Sequence, residues 1–231
     1  MIELKQTRSN CIDNLELFTT LSIEQRSLIF SLVKHEHYKA GESIYSPGEA
    51  ANSIHIMSRG KARIYRLSEN GKEGLIRILI PGDFTGELAL FKKGIYEAYA
   101  QALEDTSICK IHHDDFKKIL QTYPSISIKM LSTLAERLSN SEQQSAWMST
   151  ETAKERLMHY LIQSAIMDDK GNLFVYLDMS KRALASYLGT TPETLSRQFT
   201  KLKKDGVIRQ PSKDIIQLIG ITIDDASCKI I

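Results

Sequence analysis

Between about Tyr38 and Ile111, apolar residues come in short runs broken by glycine, at Gly41, Gly48, Gly60, Gly71, Gly74, Gly82, Gly86 and Gly94. Ser53-Ile54-His55-Ile56-Met57 and Ala62-Arg63-Ile64-Tyr65-Arg66-Leu67 are rich in strand-forming residues. Asn70-Gly71 parts the second run from Leu75-Ile76-Arg77-Ile78-Leu79. Asn-Gly between such segments is a strong hairpin signal, because a tight two-residue turn needs positive φ at its centre. Many short strands at this spacing predict an all-β sandwich or barrel.

Helical periods lie on either side. Ser22-Ile23-Glu24-Gln25 has the capping-box form and predicts a helix to about Val33. Pro124 opens a long helix from about Ser125 to Met148, on which Leu131, Leu134, Leu138, Ser141, Ser145 and Met148 alternate three- and four-residue steps. That is a heptad seam whose second half carries serines. Such a helix either lies on its own β-domain or pairs with its twin, with Leu131, Leu134, Leu138 and Met148 as candidate dimer contacts. Ser149 and Thr150 predict the cap of a further helix over about Glu151 to Met167, and Asn172 to Leu177 alternates like a strand.

Residues 180–205 hold the densest local signals. Ser180 can cap a helix from Lys181 to Leu188, and Gly189 can end it. Thr191 caps a second helix with Pro192 at its first position, where a missing N–H costs nothing. Gly206 stops that helix near Asp205. Two short helices about a glycine turn form a helix-turn-helix. Leu195, Phe199 and Leu202 share one face of the second helix; Glu193, Ser196 and Arg197 share another. The first turns of such a helix reach base edges. Arginine can donate twice to guanine, glutamate can accept from cytosine N4, and serine can bond either way. Thr190, Thr191 and the helix amides can position a phosphate. The same Glu193–Arg197 spacing also suits a surface ion pair on an ordinary helix. Beyond Gly206, Val207-Ile208 and Ile215-Ile216-Gln217-Leu218 flank a polar turn, a hairpin wing from which Arg209 and Lys213 can reach phosphates.

Charge supports the nucleic-acid reading. The chain of 231 residues has a net charge of only +2, and residues 1–149 balance to zero. Residues 181–213 hold eight lysines and arginines against Glu193 and Asp205. A local basic footprint is what a phosphate backbone attracts, with Lys181 and Lys201 expected to add affinity rather than specificity. No apolar run approaches the roughly 18 residues that span a bilayer, and the N-terminus lacks a secretory pattern, so the expectation is a cytoplasmic protein without membrane contact. Three cysteines, Cys11, Cys109 and Cys228, are too few for a disulfide framework or a zinc motif. The six histidines show no metal spacing, and His112-His113 would diverge on a strand. No metal, cofactor or catalytic centre is expected.

These segments resemble the CRP/FNR family, the cyclic-AMP-receptor and fumarate–nitrate-reduction regulators of bacterial transcription. The resemblance implies an α+β chain. A cyclic-nucleotide-binding-like β-roll, a jelly roll, would take residues 1–123, a dimerisation helix 124–149, and a winged helix-turn-helix 150–231. Its most specific stretch runs from Leu184 to Arg197, where Glu193-x-x-Ser196-Arg197 is the fumarate–nitrate-reduction variant. That implies a homodimer reading a TTGAT-like inverted repeat in double-stranded DNA, with RNA polymerase as partner, as activator or repressor. Gly82-Asp83-Phe84-Thr85-Gly86-Glu87-Leu88-Ala89-Leu90-Phe91 is similar to the phosphate-binding cassette. Cyclic-AMP binders follow it with an arginine. Here Glu97 holds that position and no neighbouring basic residue replaces it, which implies a scaffold that takes no cyclic AMP, with Glu87 structural. Gln101 to Cys109 resembles the segment carrying the central cysteine of oxygen-sensing members. Those use four cysteines; Cys11 and Cys109 alone cannot hold an iron–sulfur cluster. The FNR-like (FLP-type) proteins of Gram-positive lactic acid bacteria keep one N-terminal and one central cysteine, which can form a disulfide. Cys11 and Cys109 match that pattern, implying a thiol–disulfide switch. The alternative is a small effector, not cyclic AMP, bound in the β-roll.

Overall fold

The computed structural model describes residues 16–91, 94–224 and 227–230. The chain divides into two compact units, one running to Ser139 and one from Asn140. The division falls inside the helix expected as a separate dimerisation segment, so each unit holds part of it.

In the first unit, a single 3-10 turn at Glu16–Phe18 precedes α1 (Ile23–Phe30). Ser22 and Gln25 close the capping box. The helix stops at Phe30, short of the expected Val33, because Val33 opens β1 (Val33–Tyr38) and pairs with Ile111. Nine strands follow: β2 (Ser43–Tyr45), β3 (Ala50–Ala51), β4 (Ser53–Arg59), β5 (Ala62–Leu67), β6 (Glu73–Leu79), β7 (Phe84–Thr85), β8 (Gly94–Ile95), β9 (Tyr99–Ala102) and β10 (Thr106–His112). They form two four-stranded sheets, β1-β10-β4-β7 and β2-β9-β5-β6, with β3-β8 as a short pair. Asn70-Gly71 turns β5 into β6 as its sequence predicts. Alternation assigns the faces. Ile54, Ile56, Cys109 and Ile111 share a core with Phe116, Ile119, Ile126 and Met130 of the helices. Met57 and Ile108 share another with Ile44, Ala62, Ile64 and Ala100 of the second sheet. The helices are α2 (His113–Thr122) and α3 (Pro124–Thr150).

The second unit takes the end of α3, then α4 (Ala153–Gln163), β11 (Ala165–Met167), β12 (Leu173–Tyr176), α5 (Lys181–Tyr187), α6 (Pro192–Lys204), β13 (Ile208–Ser212), β14 (Ile215–Leu218), β15 (Ile221–Asp224) and β16 (Ser227–Ile230). Two expectations are corrected here. Thr152, not Ser149 or Thr150, caps α4, in a capping box with Glu155. The Ser149 and Thr150 hydroxyls instead donate back to the Ala146 carbonyl, inside the last turn of α3. The helix also ends at Gln163 rather than Met167. Asp168 accepts from the Lys170 and Asn172 amides, and Gly171 takes φ +79°, so the segment folds into a hairpin and β11 pairs with β12. The winged hairpin forms from β13 and β14. Leu184, Ala185, Leu188, Leu195, Phe199 and Leu202 join Leu157, Leu161, Val175 and Ile216 in one core.

Candidate DNA-reading face and β-roll pocket

Four local devices aim the second helix of the helix-turn-helix. Ser180 accepts from the Ala183 amide at 3.2 Å and starts α5. Gly189 follows at φ +61°, and a Cβ there would lie 2.5 Å from Met148 Sδ. The turn therefore needs glycine for its left-handed backbone, while the flexible end of Met148 can move aside. Thr190 then donates its amide to the Ala185 carbonyl at 2.9 Å. Thr191 accepts from the Thr194 amide at 3.2 Å, with Pro192 opening α6. Because Leu195, Phe199 and Leu202 are buried, Glu193, Ser196 and Arg197 face solvent together. The backbone amide of Glu193 and the Thr191 hydroxyl hold the Glu193 carboxyl below its usual range, and Arg197 adds to this. An anionic acceptor and a cationic fork stand side by side on the first two turns.

Of the residues expected at phosphates, Lys181, Thr191, Lys201, Arg209 and Lys213 are exposed and Thr190 is half-buried. The Lys181 ammonium sits 4.9 Å over the Phe199 ring, which ties it to α6. Gln210 donates to the Lys213 carbonyl at 2.9 Å and shapes the wing turn. Arg182, exposed on the first turn of α5, is a further cation beside this face.

The seam on α3 splits in two. Leu131 and Leu138 are 63% and 61% exposed. Leu134 packs on the core of its own unit, and Met148 turns its sulfur to Gly189. Ile128, 69% exposed and three residues before Leu131, extends the stripe that the heptad reading began too late to include.

The first unit holds a cavity of about 220 Å³ beside the cassette. Gly86, at φ +85°, starts the single turn at Glu87–Leu90, and a Cβ there would collide with the Ser53 carbonyl. Glu97 does line the cavity, and so do two arginines that come from other strands, Arg66 and Arg77. Arg66 on β5 pairs with Glu97 at 2.6 Å, and Arg77 on β6 meets Glu87 at 3.4 Å. Each cation is opposed by a carboxylate. Arg137 of α3 stacks on Phe84, donates to the Phe84 carbonyl at 3.1 Å, and pairs with Asp83 and Glu87. Burial pulls Arg137 below its ordinary range, helped by Arg77 and offset by Glu87 and Asp83. Deeper in, Tyr45 stacks on Tyr96 at 3.9 Å and bonds Thr85 at 2.7 Å. Burial pushes the Tyr45 hydroxyl up to about 12 and the buried His55 ring down to about 4. His55 Nε2 lies 3.0 Å from the Tyr96 hydroxyl.

Cys109 is fully buried on β10, between Ile56 and His35 in register. Its sulfur is disulfide-bonded and lies 4.0 Å from His35 Nδ1. Cys11 lies outside the described residues.

A β-roll with a nucleotide-type cassette, joined in one chain to a winged helix-turn-helix, defines a DNA-binding regulator of transcription. Residues 35–123 match the cyclic nucleotide-binding domain, and residues 155–221 match the Crp-like helix-turn-helix domain. The chain is 32% identical to the probable transcriptional regulator flp of Lacticaseibacillus casei, over 94% of its own length and 97% of the relative's. It is 28% identical to the cyclic AMP receptor protein of Thermus thermophilus, over 84% and 88% of the two chains. The structure of FixK2 from Bradyrhizobium japonicum superposes with a TM-score of 0.67 at 25% identity, covering 80% of this chain and 92% of that one. The chain belongs to the CRP/FNR family of transcriptional regulators, a non-enzymatic class. No helix among the described residues is long and apolar enough to cross a membrane.

Proposed function

We propose that the chain works as a homodimer reading a TTGAT-like inverted repeat in the major groove, with base contacts from Glu193, Ser196 and Arg197. The observation that carries this is the exposed trio on the first two turns of α6, fixed in place by the Thr191 cap and the Gly189 turn. Lys181, Thr190, Thr191, Lys201, Arg209 and Lys213 supply phosphate contacts, which position the helix without specifying sequence. The exposed stripe of Ile128, Leu131 and Leu138 supplies the dimer contact, because large apolar side chains left in water favour association. RNA polymerase is the downstream partner, for activation or repression.

Cys11 and Cys109 form the trigger, a thiol–disulfide pair. The disulfide state of Cys109 supports this, and His35 Nδ1 lies 4.0 Å from the sulfur. The test is binding to a TTGAT-N4-ATCAA duplex and a scrambled duplex at fixed salt, with protein reduced and oxidised. Selective binding that changes with redox state in the wild type and not in Cys11→Ser is the expected result. Selective binding indifferent to redox removes the trigger and keeps the reader. Equal binding to both duplexes removes the reader.

The cavity favours one second reading, a small effector that gates DNA binding. Cyclic AMP is a poor fit, because its phosphate would have to displace Glu97 from Arg66 or Glu87 from Arg77. A compound that alters DNA affinity in the wild type and not in Arg77→Ala would support this reading.

A further inference from the structure

His112 ends β10 and His113 opens α2. On a continuous strand their rings would point to opposite faces. The chain turns into a helix between them instead, and the ring centroids come to 4.7 Å. One ring nitrogen of His112, one of His113 and an Asp114 carboxylate oxygen all lie within 4.8 Å of one another.

The hydrogen positions give this cluster its chemistry. The Asn52 carbonyl accepts the His113 backbone amide at 2.9 Å and faces His113 Nδ1 at 3.3 Å. A carbonyl only accepts, so Nδ1 carries the hydrogen. Nε2 then faces Asp114 Oδ1 at 3.1 Å. His112 Nδ1 accepts the Asp114 amide at 3.4 Å and lies 3.8 Å from Asp114 Oδ2. His113 Nε2 thus faces the carboxylate, and His112 Nδ1, which has one lone pair, would exchange its long bond to the Asp114 amide for a bond to an ion.

We infer that His112, His113 and Asp114 bind a divalent first-row transition ion of the zinc type, with water completing its coordination. Two imidazoles and one carboxylate suit zinc, whereas magnesium and calcium prefer oxygen throughout. The backbone carbonyl on Nδ1–H is the outer support that fixes a ligating histidine. The His113 side chain is only 14% exposed, so this nitrogen is held in place. His112 and Asp114, at 48% and 65%, have room to close on an ion. Ligands on tetrahedral zinc sit about 3.3 Å apart, so modest rotamer changes of those two suffice. The helix N-terminus opposes a cation, and Asp114 and Asp115 in the first turn offset it. A bound ion would fasten α2 to the start of β4 through Asn52 and so stabilise the first unit.

The test uses the full oxidised chain carrying Cys228→Ser, titrated with Co²⁺ and then with Zn²⁺ in competition. The expected result is one Co²⁺ per chain, visible ligand-field absorption without a sulfur-to-cobalt charge-transfer band, and displacement by Zn²⁺. His113→Gln and Asp114→Asn should each weaken binding by about tenfold or more with unchanged circular dichroism. Zn²⁺, and not Mg²⁺, should raise the melting temperature of the parent and leave both variants unmoved. Asp114→Asn keeps the backbone amide of the helix start, so it serves if His113→Gln fails to fold. No binding, equal binding in the variants, or a sulfur charge-transfer band would overturn the assignment.

Discussion

The DNA-facing unit and the β-roll solve the problem of placing charged groups in opposite ways. In α6, Glu193, Ser196 and Arg197 are near neighbours in the chain, and a cap, a proline and a glycine turn set their direction. In the β-roll, Arg66 meets Glu97 and Arg137 meets Asp83, and sheet pairing or a long helix brings each pair together from far apart in sequence. The reading face is solvent-exposed and stands on an independent core, so its side chains can change without unfolding their support. Arg137 is interlocked with packing over Phe84, so altering it disturbs stability first, whereas the Arg66–Glu97 pair is largely exposed.

The largest expected effect sharpens the β-roll side of this contrast. His55 is buried, and its pKa falls from 6.5 unfolded to about 4 folded, chiefly by desolvation, with Lys110 lowering it further and Glu36 opposing. A depressed histidine favours the folded state while neutral. Its contribution is complete above pH 6.5 and is lost as pH falls toward 4, by up to about 3 kcal/mol. Hydrogen exchange of β4 amides across that range should show the loss in the wild type and a flatter profile in His55→Gln. Next comes Gly189→Ala, which forces a side chain into left-handed backbone and against Met148. It should cost about 2 kcal/mol in the second unit alone. Trp147, the single tryptophan, stacks on His159 in that unit, and its fluorescence in urea reads the change. The smallest is Thr191→Ala. Removing the α6 cap should cost about 1 kcal/mol by the same fluorescence, while hydrogen exchange in β4 stays unchanged.

The same contrast explains what was legible in the sequence. Ser180, Gly189, Thr191 and Pro192 act over a few residues, so the helix-turn-helix could be drawn from the chain alone. Asn70-Gly71 gave the β5–β6 turn for the same reason. The hairpin at Asp168 to Asn172 was missed because apolar Ala165, Ile166 and Met167 continue the preceding helical stripe, and only the turn chemistry breaks it. Arg66 and Arg77 were not legible because the position of Glu97 in the chain does not show which strands lie beside it. His112 and His113 were misjudged by one residue: a strand parts their rings, and a helix starting at His113 joins them.

The central claim is that α6 reads bases rather than merely attracting DNA, and the affinity of Arg197→Ala for cognate and scrambled duplexes tests it most directly. Measured beside Lys201→Ala at several salt concentrations, Arg197→Ala should lose about 1–3 kcal/mol on the TTGAT duplex and little on the scrambled one, while Lys201→Ala weakens both alike. Equal losses on the two duplexes for Arg197→Ala would contradict the account and reduce Arg197 to another phosphate contact.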